Sequence, residues 1–153
     1  NTINPEFEGK RVLLVDDSIV RGNTSRKIVE MARKSGAKKV YFASTAPPVK
    51  YPNVYGIDMP ASSELIASSG DVEKIGKSIG VDKLFYQDLA DLVKSVQFNP
   101  TGPQEFDTSC FSGTYVTENV STEYLEKLEQ IRNDSAKQHS VLSEEPVGIH
   151  NQN

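Results

Sequence analysis

Two aspartates, Asp16 and Asp17, follow the apolar run Val12-Leu13-Leu14-Val15, and Ser18-Ile19-Val20-Arg21 leads from them to Gly22-Asn23-Thr24-Ser25. Carboxylate oxygens are hard donors suited to Mg²⁺ or to sugar hydroxyls. Thr24 and Ser25 are helix-capping types, and a helix start offers backbone N–H groups and the positive end of its dipole to a phosphate. Gly22 permits a positive φ or a close backbone approach to a ligand. Successive strand residues face opposite ways, so both acids reach one ligand only if the chain bends after the strand. Together the two features can hold a sugar phosphate from both ends, with Arg21 between them.

These residues need a scaffold, and the hydrophobic pattern supplies one. A short buried strand is expected at 11–16. A helix is expected at 24–35, capped by Thr24 or Ser25, stopped at Gly36, with Ile28, Met31 and Ala32 on its inner face. A strand at 39–45, nearly all apolar at its centre, reads as covered on both faces. Residues 46–60 hold Pro47, Pro48, Pro52, Gly56 and Pro60, too many breakers for regular structure. Short helices are expected at 62–68 and 71–79, the second opened by Asp71 and closed by Gly80. A strand at 82–87, a helix at 88–97, a Pro/Gly-rich connection, a strand at 111–117 and a helix at 121–132 follow. That last helix would carry Tyr124, Leu125, Leu128 and Ile131 on one side. The alternation predicts an α/β fold with a parallel sheet. Residues 1–133 would form the folded part and 134–153 a polar, mobile tail.

Composition narrows the function. With 153 residues, 37% of them hydrophobic, the chain is one domain's worth and long enough for a core. No apolar run approaches the roughly 20 residues of a membrane span. A single cysteine, Cys110, excludes an internal disulfide and suits a reducing compartment, and the only histidines are His139 and His150. A net charge of −4 argues against a general nucleic-acid binder, although residues 9–39 carry nine basic against three acidic side chains. Neither Gly-x-x-x-x-Gly-Lys nor Gly-x-Gly-x-x-Gly occurs. The opening Asn-Thr-Ile-Asn-Pro, without Met, reads as the interior of a longer protein.

Val12–Ser25 resembles the phosphoribosyl-pyrophosphate (PRPP) motif of type I phosphoribosyltransferases, a Rossmann-like fold of parallel sheet and flanking helices. Further stretches are similar to the amidophosphoribosyltransferase family: 38–44, Pro52-Asn53-Val54-Tyr55-Gly56-Ile57-Asp58-Met59-Pro60, Glu64-Leu65-Ile66-Ala67, Tyr86-Gln87-Asp88-Leu89, 111–117 and Arg132-Asn133-Asp134. The resemblance covers about residues 10–135. It implies that ammonia derived from glutamine displaces pyrophosphate at C1 of PRPP, giving 5-phosphoribosylamine at the start of purine synthesis. It also implies Mg²⁺ and ribose hydroxyls at Asp16 and Asp17. The 5-phosphate then lies in the loop Ser18, Ile19, Val20, Arg21, Gly22, Asn23, Thr24 and Ser25. A cytoplasmic homo-oligomer inhibited by purine nucleotides is implied as well, with residues 46–60 near the inhibitor.

Departures from the family pattern bear on chemistry. The glutaminase cysteine and the flexible loop that closes over PRPP should lie upstream, so this stretch alone is expected to be inactive. Asn23 stands where Thr is usual, keeping the backbone N–H while changing the side chain. Some members hold an iron–sulfur cluster on cysteines at positions that here are Asn53, Asp107 and Cys110, and one thiol cannot hold such a cluster. Two other readings share the motif. A response-regulator receiver also opens with an acid pair after a strand, with Asp58 as its phosphorylated residue, but that Asp should end a buried strand. A PRPP-sensing transcriptional regulator would need a nucleic-acid-binding module, and no basic recognition helix is visible.

Overall fold

A three-stranded parallel sheet carries the acid pair at the end of its first strand. The computed structural model describes residues 4–97, 101–117 and 119–143. A short helix α1 (Asn4–Phe7) precedes β1 (Arg11–Asp16), α2 (Asn23–Lys34) and β2 (Lys39–Ser44). After an irregular stretch come two 3-10 turns, Ser62–Glu64 and Ile66–Ser69, then α3 (Val72–Ile79), β3 (Lys83–Tyr86) and α4 (Leu89–Val96). The helices α5 (Ser109–Ser112) and α6 (Thr122–Ser143) follow. Strand order is β1-β2-β3, with Leu14 opposite Phe42 and Phe42 opposite Leu84.

Alternation along the strands explains the core. Val40, Phe42 and Leu84 point to one face, where Val29 and Ala32 of α2 and Ile75 and Ile79 of α3 pack against them. Burying Phe42 completely makes it an anchor, and truncating such a side chain costs about 3–5 kcal/mol. The other face is open: Leu13 is 56%, Val15 62% and Phe85 43% exposed. The expectations of a buried first strand and a doubly covered second strand are therefore corrected. β1 is a half-open edge strand, and Tyr41 and Ala43 of β2 are only half-buried.

Other elements differ in instructive ways. The inner face of α2 is Ser25, Val29 and Ala32, whereas Ile28 and Met31 are exposed. Its N-cap is Gly22 rather than Thr24 or Ser25. The expected helix 62–68 is two 3-10 turns, because Leu65 adopts an extended conformation between them. The expected strand 111–117 is absent. Asp107 Oδ1 accepts the Ser109 N–H, the chain turns through α5, and Gly113 ends it at φ 75°. By contrast, α3 starts at a capping Asp71 and stops at Gly80 as the pattern predicts.

The chain divides into two compact units, 1–116 and 117–153. In the second unit α6 runs past the expected end at 132 to Ser143, since neither Gly nor Pro interrupts 122–143. Residues 144–153 of the expected tail lie outside the described residues. No helix among the described residues is long and apolar enough to cross a membrane.

Candidate functional site

The two acids are fixed first by backbone. Beyond β1 the chain continues to pair with the extension of β2: Thr45 N donates to Asp16 O at 2.9 Å, and Ala46 N to Asp17 O at 2.9 Å. A bend at Asp17 then ends the strand. Asp17 N donates to Asp16 Oδ1 at 3.0 Å, and Ser18 N to Asp17 Oδ1 at 2.6 Å. Each carboxylate thus spends one oxygen on the turn and keeps the other uncommitted among the described residues. The bend brings both acids to one cavity of about 510 Å³, shared with Ser18, Val20, Arg21, Gly22, Asn23, Thr24 and Ser25. Strand alternation would have separated them.

Gly22 forms the far wall. It adopts φ 77° as the N-cap of α2, and no side chain caps that helix. The first intrahelical bond runs from Arg26 N to Gly22 O at 2.9 Å. Among the described residues the N–H groups of Asn23, Thr24 and Ser25 find no acceptor. The contrast within the molecule is informative. Asp71 caps α3 through Lys74 N, and Asp88 caps α4 through Ala90 N and Asp91 N. Of these three helix starts, only the one facing the acids leaves its N–H groups without a capping side chain. Such donors, with the helix dipole behind them, complement an anion.

Nine of the ten residues singled out in the sequence therefore line one cavity. Ile19 does not: its side chain is 1% exposed in the core, so it supports the loop from beneath. Three ties that short-range pattern could not reveal hold the same loop. The Arg21 Nε donates to the Glu64 carboxylate, Ile66 N donates to Val20 O at 2.9 Å, and Ile66 lies against Gly22. Their partners are more than 40 residues apart in sequence, and no local periodicity links them.

The remaining expectations find other places. Asp58 is exposed in an irregular stretch, not at a strand end, which removes the geometric basis of the receiver reading. The buried Asn53 accepts the N–H groups of Tyr55 and Ile57 on Oδ1, shaping the 53–57 loop. Tyr115 ties that loop to its own segment by donating to Pro52 O at 2.8 Å. Burial pushes the Cys110 thiol up, away from the thiolate form. On β3, level with Asp16 across the sheet, burial also pushes Tyr86 up to about 12, keeping it neutral.

No family model matches the chain. Over 152 residues, 99% of its length, it is 56% identical to the amidophosphoribosyltransferase of Haemophilus influenzae. It is 51% identical to that of Escherichia coli and 42% to that of Saccharomyces cerevisiae, again over 99% of its length. The matched stretch is 30%, 30% and 29% of those proteins, so the chain spans less than a third of their length. A solved glutamine PRPP amidotransferase from B. subtilis, complexed with ADP and GMP, superposes with TM-score 0.64 at 39% identity. That match covers 80% of this chain and 28% of the other. A structure described as the allosteric regulatory enzyme of purine biosynthesis gives TM-score 0.67 at 40% identity, covering 83% and 28%. The parallel sheet with its flanking helices is a portion of the type I phosphoribosyltransferase fold. This identity is sustained along nearly every residue of the chain, which corresponds to a stretch within the C-terminal part of amidophosphoribosyltransferases.

Proposed function

We propose that this chain carries the ribose-phosphate half of the PRPP site of an amidophosphoribosyltransferase. The full reaction joins PRPP, glutamine and water to give 5-phosphoribosylamine, glutamate and pyrophosphate, as the first step of purine biosynthesis. The observation that carries the reading is the pairing, across one cavity, of two carboxylates with a helix start left uncapped. The N–H groups of Asn23, Thr24 and Ser25 receive the 5-phosphate, while Asp16 and Asp17 face the ribose hydroxyls. As the C1–pyrophosphate bond breaks, positive charge grows on the ribose, and the nearby carboxylates stabilise it. Ammonia then forms the new C–N bond at C1 from its lone pair, the electrons of the broken bond leave with pyrophosphate, and a proton is lost.

The donor set fits Mg²⁺. Among the described residues no cluster of three or more His, Cys, Asp or Glu is arranged for a metal. Two adjacent carboxylates, each with a free oxygen, suit an ion that retains waters and binds substrate oxygens. When bound there, Mg²⁺ would offset charge on the departing pyrophosphate. Purine nucleotides as inhibitors, a homo-oligomer and a cytoplasmic setting complete the reading. It is supported by the family and by the ADP and GMP of the B. subtilis neighbour.

The test is calorimetry of the full-length protein with Mg²⁺ and PRPP, together with pyrophosphate release. Asp16→Asn combined with Asp17→Asn should abolish both while leaving the circular dichroism spectrum unchanged. Near-normal activity in that variant would refute the assignment. The same titration with GMP checks the regulatory part, and absence of heat would remove it.

A further inference from the structure

The loop that faces the cavity is braced from outside the motif, by residues 64–66. This segment is itself anchored: Leu65 is 1% and Ala67 0% exposed, so the alternate residues Glu64 and Ile66 turn toward the loop. Ile66 N holds Val20 O, the Ile66 side chain fills the space beside Gly22, and Glu64 holds the Arg21 Nε. The ion pair is half exposed, with side-chain exposures of 49% and 34%, so its contribution to stability is small. What it does accomplish is orientation. An unanchored arginine has many rotamers, whereas a guanidinium held at Nε keeps both terminal amino groups uncommitted among the described residues. Arg21 also lines the cavity. A carboxylate placed near a phosphate site would repel the ligand were its charge not matched by that arginine.

We propose that Glu64 is a positioning residue for substrate phosphate, acting through Arg21, and that Ile66 holds the loop in its ligand-ready form. This rests on the PRPP reading above. The probe is ribose 5-phosphate, which carries the phosphate and ribose without the leaving group, titrated into the full-length protein. Glu64→Ala should weaken its binding about tenfold, the order expected for losing one charge-assisted contact. Arg21→Ala should weaken it at least as much, and the double variant no further than Arg21→Ala alone, because one residue acts through the other. Glu64→Gln, which keeps an acceptor for Nε, should restore most of the affinity. Unchanged binding in Glu64→Ala, or losses that multiply in the double variant, would overturn the proposal. So would failure of Glu64→Gln to recover binding. Hydrogen exchange without ligand separates this from the parent reading. Glu64→Ala should speed exchange at the Ile66 and Arg26 amides, which bond to Val20 O and Gly22 O. If the wild type binds no ribose 5-phosphate, the PRPP reading falls. Exchange then decides whether the brace stands: faster upholds it and unchanged overturns it.

Discussion

At Gly22 two separate costs fall on any side chain. The φ of 77° lies in the left-handed region, and a Cβ there would sit 2.5 Å from Ile66 Cδ1 and 3.2 Å from Ile79 Cγ2. The first clash can relax, since Ile66 Cδ1 is the tip of a flexible side chain. The backbone strain cannot. Gly22→Ala should therefore lower stability by about 1–2 kcal/mol, read from a urea midpoint, and should weaken PRPP binding more than it weakens the fold. A variant as stable as wild type with full PRPP affinity would show that the loop does not depend on this conformation. The lining of the candidate site was legible here because the pattern is local. Asp16, Asp17, Gly22 and the hydroxyl residues are neighbours in sequence, and each has a physical reason to be there. Glu64 was not legible, because an ion pair across 43 positions leaves no periodic trace.

The elements behind the loop are held together by a different acid. Asp82, just before β3, accepts from Lys39 of β2 at 2.7 Å, from Val40 N at 2.8 Å and from Arg33 of α2 at 2.7 Å. The Lys39 contact, followed by the Val40 N–H, holds its carboxyl well below the ordinary value of 3.8. The sign follows directly. An unfolded Asp82 takes up a proton near 3.8 while the folded one resists, so its contribution is complete above that pH and fades as pH falls through the lowered value. At pH 7, Asp82→Asn should cost about 1–3 kcal/mol, as charged hydrogen bonds do. The gap between variant and wild type should stay constant down to about pH 5 and narrow below pH 4. A gap independent of acid would exclude this clasp as the cause. The same elements show where pattern reading stops. Ser25, Val29 and Ala32 form a buried stripe that overlaps the more hydrophobic set of Ile28, Met31 and Ala32. A buried serine hides the true face, and the exposed Ile28 and Met31 advertise a false one. Likewise Phe111, Tyr115, Val116 and Thr117 have strand propensity but pair with no strand among the described residues, and Asp107 starts a turn instead.

The first compact unit is built on a sheet finished on one side. Parallel sheets are ordinarily covered on both faces, yet here Leu13, Val15 and Phe85 remain exposed. The curated relatives it matches are more than three times as long. The cavity shares this openness: its lining comes from one strand end, one loop and one helix start, all within residues 16–25. In the proposed reading such a site holds the phosphate and the hydroxyls of a pentose. Breaking the bond to pyrophosphate asks for more, because water must be kept from the reacting carbon and ammonia must be delivered to it. In the proposed reading the lining residues, all within 16–25, hold the two ends of the sugar phosphate and leave none to cover that carbon. The 153-residue chain by itself is therefore expected to bind ribose 5-phosphate while producing no phosphoribosylamine from PRPP, Mg²⁺ and ammonia. Titration calorimetry measures the first, and trapping of the amine product measures the second. Steady formation of phosphoribosylamine by the chain alone would mean that the acids and the helix start suffice for the chemistry, and that water exclusion is not what the site lacks.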